Sequence, residues 1–270
     1  MKVIKQKSGL PPGTMVYTGE EKTEKIKISY MDYNDGNFNE GLIENPDACR
    51  KYTKPDTVSW INVDGIHRTE IIEKIATCFG LHPLIMEDLV NIRQRPKLED
   101  YGDYIYLVLR MLEFNEKDDE ILSEQVSIIF GEGFVLSFQE NEGDVFDIIR
   151  ERIRSNKGKI RRMTSDYLVY SLIDSIIDNY FLILEKLSDK IEDLEEELLT
   201  NPSPETLLKI HQMKGAIIEL RRSVWPLREL ISNFQKMEKK NFSKDTAFYL
   251  RDVFDHTIQI IDTIETLRDI

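Results

Sequence analysis

The sequence predicts a mixed α/β fold, a largely antiparallel sheet covered by helices, followed by a long antiparallel helical hairpin and the start of a third long helix. Three observations predict it. Short β-rich segments bounded by turn residues fill the first half. Two apolar seams with alternating steps of four and three fill the second. A two-proline break, "NPSPE" (201–205), separates the seams.

The elements follow in order. "TMVYTG" (14–19), "KIKISYMDY" (25–33) and "TVSWINVDG" (57–65) read as strands. "RTEIIEKIATCFG" (68–80) has helical spacing and a terminal glycine, and "HPLIMEDLVN" (82–91) forms a second short helix with Pro83 in its first turn. "YGDYIYLVLRMLEF" (101–114), "EILSEQVSIIF" (120–130) and "GFVLSFQE" (133–140) read as three strands, the last two joined by a tight "GEG" turn. "GDVFDIIRERIRSN" (143–156) returns to helix, and strands cease after about residue 163. The first seam runs Ile173, Ile177, Tyr180, Leu184, Leu187, Ile191, Leu194, Leu198, and the second Ile210, Met213, Ile217, Leu220, Val224, Leu227, Ile231, Phe234. Pro226 is expected to bend the second helix by removing a hydrogen bond. The third helix begins near Ser243 and runs to Ile270 with no stop signal, so either its end frays or the helix continues beyond the given sequence. The domains are thus 1–160, 161–242 and 243–270.

Composition narrows the function. With 41% hydrophobic and 9% aromatic residues the chain can bury a core, which argues against disorder. The net charge of −13 argues against nucleic-acid binding, which needs a basic face, and favours cations as partners. Cys49 and Cys78 lack metal-type spacing and read as reduced thiols. No signal core is present, and no run approaches the roughly 20 apolar residues of a membrane span, so the chain as given is expected to be soluble.

No nucleotide-binding, nucleophile-elbow or zincin motif occurs, and His67, His82, His211 and His256 are scattered, so nothing requires an enzyme. The acids say more. Glu87 and Asp88 are adjacent inside the apolar frame "PLIMEDLV", Asp174 follows a seam residue, and Asp252, Asp255 and His256 share one helical face. Each could be a solvated acid, with Asp252 paired to Arg251 or a nearby lysine, and the Glu195–Glu196–Glu197 run reads as a solvated face at the hairpin tip. Alternatively these acids hold a cation. Mg²⁺ needs only one or two carboxylates because it keeps several waters. His256 widens the choice to Co²⁺, Ni²⁺ or Zn²⁺.

"EDLVNIRQRPKLE", "YIYLVLRM", "SEQVSIIF", "GDVFDIIRERIR", "DYLVYSLIDSIIDNYF", "WPLRE" and "RDVFDHTIQIIDTIET" together resemble the cytosolic part of the CorA family of magnesium channels, from about residue 55 to 270. The resemblance implies an α/β sandwich, a helical hairpin and a stalk helix that enters the membrane as the first of two spans, with five subunits around a pore. The family's Gly-Met-Asn signature lies beyond the first span and does not occur here. The resemblance therefore implies a soluble cytoplasmic domain of a membrane protein, attached to the membrane only through absent C-terminal helices. It also implies regulatory metal sites between subunits. By motif, Asp88 would face Asp252 of a neighbour, and Glu87 with Asp174 would form a second position; Asp255 and His256 are secondary. The function implied is Mg²⁺ sensing by a homopentameric Mg²⁺ channel that also passes Co²⁺ or Ni²⁺. A related Zn²⁺ transporter and a coiled-coil scaffold without metal sensing are the alternatives.

Overall fold

The computed structural model describes residues 9–19, 25–54, 56–237 and 243–270. Its centre is a seven-stranded sheet: β1 (Lys27–Tyr33), β2 (Phe38–Leu42), β3 (Val58–Asp64), β4 (Lys97–Asp100), β5 (Tyr104–Asn115), β6 (Glu120–Gly131) and β7 (Phe134–Gln139), in the order β2-β1-β3-β7-β6-β5-β4. After β3 the chain forms α1 (Thr69–Cys78) and α2 (Pro83–Leu89), crosses to the far edge for β4, and returns strand by strand until β7 lies parallel to β3. Every other pairing is antiparallel, so the sheet is mixed as expected, and the three strands read at 101–140 form the antiparallel meander β5–β6–β7.

Alternation along the strands assigns side chains to two cores. Trp60, Ile105, Leu107, Leu109, Val126 and Ile128 face one side, where they pack with α3 (Asp147–Arg154), α4 (Ser165–Thr200), α5 (Pro204–Val224), α6 (Leu227–Gln235) and α7 (Lys244–Asp269). Ile61, Val63, Tyr106, Val108 and Leu136 face the other, against α1, α2 and the 3₁₀ turn Pro46–Tyr52. The result is three layers with the sheet in the middle.

Helix α4, 36 residues and about 54 Å long, and α5 form the hairpin. The first seam is buried through Leu194, but Leu198 is 46% exposed. Ser203 and Thr206 form a reciprocal capping box at the start of α5. Glu197 accepts from Thr206 Oγ1 at 2.7 Å and pairs with Lys209 at 2.8 Å, so it fastens the turn, while Glu195 and Glu196 are exposed as expected. By length and composition α4 could cross a membrane, its best 18-residue window having mean hydropathy 1.3, although the sequence reading found no such run. Most of that window is buried in the protein, as in a core helix.

Other readings need correction. The segment 14–19 is no strand; Thr18 N donates to the Val90 carbonyl and Ile92 N to Thr18 Oγ1, binding this segment to the end of α2. Strands β2 and β4 went unread, both being short edges without regular alternation. At Trp225–Pro226 the second hairpin helix does more than bend: α5 ends and α6 begins.

Candidate metal centre

Helix α7 lies along α4, with its register set at its N-terminus. Ser243 caps α7, accepting from Asp245 N at 3.2 Å, while Ser243 N donates to Asp166 Oδ2 on α4 at 2.9 Å. One turn further on, Tyr167, Tyr170 and Tyr249 form an aromatic cluster, with Tyr170 stacked on Tyr249 at 5.1 Å between centroids. Below it, Leu250, Val253, Thr257 and Ile260 are buried, leaving the neighbouring helical positions at the margin of the contact.

That register brings Asp174 and Asp178 of α4 to His256 of α7, with a ligand atom from each within 4.8 Å of the others. Asp178 was not singled out from the sequence, although its i, i+4 spacing from Asp174 was visible. Asp252 lies one turn from His256, its Oδ2 3.9 Å from Nε2. The imidazole meets the Phe181 ring edge-on at 5.7 Å, and its buried Nδ1 has no hydrogen-bond partner among the described residues. Among the described residues, no lysine or arginine pairs with Asp174, Asp178 or Asp252, so Arg251 does not neutralise Asp252.

The electrostatic consequence falls on Asp174. Burial, then repulsion from the Asp178 carboxylate, push its pKa up to about 6, against smaller relief from His256 and the Tyr170 hydroxyl, which donates at 3.4 Å. A divalent cation would relieve both causes. Two carboxylates and an imidazole, with one ring nitrogen unsatisfied, fit such an ion. The nitrogen donor suits Co²⁺, Ni²⁺ or Zn²⁺ better than Mg²⁺. Asp255 stands apart on an exposed strip of α7 with Gln259, Asp262 and Thr266.

Glu87 and Asp88 occupy different surroundings on α2. Glu87 accepts from Gly13 N at 2.8 Å. Asp88 accepts from Gln94 Nε2 and from Lys97 Nζ, both at 2.6 Å. Burial alone would lower the Lys97 pKa, but Asp88 and Glu99 outweigh it and the ammonium is held above its ordinary value. Because α2 covers one face of the sheet and α4 and α7 the other, a single chain does not bring Glu87 to Asp174 or Asp88 to Asp252. Asp64 is also raised, by burial first, yet Asn62 and Gln139 seal one of its oxygens within a buried polar chain running to Ser137 and Trp60.

The carboxylate–imidazole cluster between two long helices of this three-layer domain is a candidate site for a divalent cation. The profile of the family described as "CorA-like Mg2+ transporter protein" matches residues 55–270, and the chain belongs to that family. It is 46% identical over 269 residues to the cobalt/magnesium transport protein CorA of Thermotoga maritima, covering 100% of this chain and 76% of that protein. It is 26% identical over 210 residues to the putative metal ion transporter YfjQ of Bacillus subtilis, covering 78% of this chain and 64% of that protein. The soluble domain of CorA from Methanocaldococcus jannaschii has the same fold, with TM-score 0.71 at 18% identity over 91% of this chain and 92% of that one. The cytoplasmic domain of ZntB from Vibrio parahaemolyticus also aligns, with TM-score 0.69 at 15% identity over 88% and 91% of the two chains.

Proposed function

We propose that this chain is the cytosolic, cation-sensing part of a CorA-type transporter for Mg²⁺ and Co²⁺, working as a ring of identical subunits. The observation that carries the reading is the placement of acids on both outer layers. With Asp88 on one face of the sheet and Asp252 on the other, a neighbouring copy is needed to bring them together. The pentamer, the pairing of Glu87 with Asp174 and the auxiliary role of Asp255 belong to the same reading.

The energetics follow from charge. Two carboxylates about 5 Å apart repel by about 3 kcal/mol at an effective dielectric near 20. Repeated around a ring, that repulsion opposes close packing of subunits until Mg²⁺ neutralises it. Within one chain Lys97 already serves Asp88 as counterion, so the ion must compete with an ammonium there. No such competitor pairs with Asp174, Asp178 or Asp252 among the described residues. Mg²⁺ binding and the closed ring would then favour one another reciprocally, and α7 would carry the change along its axis. Mg²⁺-dependent protection from heat or protease tests this. It should be present in the wild type and lost in Asp88→Asn with Asp252→Asn; unchanged protection in the double variant rejects the pairing.

The imidazole of His256 favours a second reading, regulation or selection by a transition metal. The zinc transport protein ZntB of Yersinia enterocolitica is 24% identical to this chain over 183 residues. Competition of Zn²⁺ against Mg²⁺ and Co²⁺ separates the two readings. Stability indifferent to all three ions would leave a scaffold.

A further inference from the structure

In a chain of net charge −13, one concave surface is strongly basic. The loop after α2 and the end of α5 line a cavity of about 620 Å³ with Arg93, Arg95, Arg110, Arg221 and Arg222, and among the described residues Glu219 is the only carboxylate on its wall. Two of the arginines are engaged. Arg221 Nε pairs with Glu265 at 3.0 Å, and its guanidinium lies 5.0 Å from the Trp225 ring. Arg110 Nη2 donates to the Gln94 carbonyl at 2.7 Å, and burial lowers its pKa even though Glu140 and Glu219 oppose the change. Arg93, Arg95 and Arg222 form no ion pair with any described residue, and all three are exposed. Trp225, 49% exposed, stands at the rim with the Arg221 guanidinium over its ring.

This wall suits a ligand with several phosphates and a flat base. Guanidinium groups match phosphate oxygens in geometry as well as charge, and converging arginines repel one another until an anion separates them. An exposed indole offers a stacking platform to a base. The volume lies in the ordinary range for small-molecule sites. Neither feature serves the acid cluster between α4 and α7, so the inference stands apart from the sensing function.

We propose that this cavity binds a nucleoside polyphosphate, with the phosphates among Arg93, Arg95, Arg110 and Arg222 and the base on Trp225. Calorimetry of the full chain in metal-free buffer, titrated with a nucleoside triphosphate and separately with inorganic tripolyphosphate, tests it. Of the two tryptophans, Trp60 is buried and Trp225 exposed, so fluorescence quenching reports binding at the rim. Saturable binding with quenching is expected. Arg95→Glu with Arg222→Glu should weaken it by at least about tenfold, and Glu219→Gln should tighten it. Trp225→Ala should weaken nucleotide binding several-fold and leave tripolyphosphate unaffected. Absence of saturable binding by the wild type, equal affinity for tripolyphosphate, or full binding by the doubly charge-reversed variant overturns the proposal. That last result would place the nucleotide elsewhere on the chain.

Discussion

Two aspartates in this chain meet opposite fates. Asp88, on α2, accepts from both Lys97 and Gln94. Asp174, on α4, is half-buried beside a second carboxylate, and its one described hydrogen bond is a long one from Tyr170. Both sit next to apolar helix positions, so local sequence hardly distinguishes them. What differs is the opposing element: β4 offers an ammonium to Asp88, whereas α7 offers Asp174 an imidazole and another acid. The first acid is satisfied within its own chain, and the second stores repulsion that a cation can discharge.

The largest expected effects break that contrast at the metal. Asp178→Asn with His256→Ala should lower Co²⁺ affinity by at least about tenfold, read by calorimetry, because the ion loses two of three ligands. An unchanged affinity would place the ion elsewhere.

The next effect is a pH dependence. The folded pKa of Asp174, about 6, lies above its unfolded value. The folded state therefore binds that proton more tightly, and the ion-free protein loses stability as pH rises through the interval from about 4 to about 6, with no further loss from this group above it. Screening at a half-exposed site leaves a penalty of roughly 1–2 kcal/mol at pH 8. Asp174→Asn should recover it as a higher melting temperature without metal. A variant melting lower at pH 8 would contradict the assigned burden. Cation binding at the cluster should weaken below about pH 6, where the ion must displace a proton from this carboxylate.

Lys97→Met sharpens the other half of the comparison. Removing the ammonium leaves Asp88 half-buried without its counterion, at a cost of about 1–2 kcal/mol by denaturant unfolding. In the assembled protein the same change should strengthen Mg²⁺ protection, because the competing cation is gone. Smallest is Asp255→Asn, on the exposed strip of α7, which should move stability of the single chain by less than about 0.5 kcal/mol.

Much of the fold was legible because its signals are local. The seams of α4 and α5, the break at "NPSPE", the meander and the Ser243 start of α7 each rest on spacing or capping within a few residues. The misses have physical reasons. In β2, "FNEGL" is an edge strand with mainly one apolar contact side, and "KLED" of β4 is charged, so neither alternates clearly. The segment 14–19 has strand-like composition, but its backbone partners are the end of α2 and the loop beyond it. Of the candidate site, Asp174, Asp252 and His256 were legible as acids and an imidazole at helical spacing. Asp178 was passed over because an exposed aspartate on a helix carries no signal until something opposes it.

Residue order by itself determined where helices and strands form, and that acids rather than bases dominate the surface, because propensity, periodicity and net charge are summed locally along the chain. Only the tertiary structure decided which acids share a site. The parallel return of β7 onto β3 completes a sheet with α2 on one face and α4 with α7 on the other. Coulomb energy depends on distance through space, and neighbourhood along the chain does not supply it.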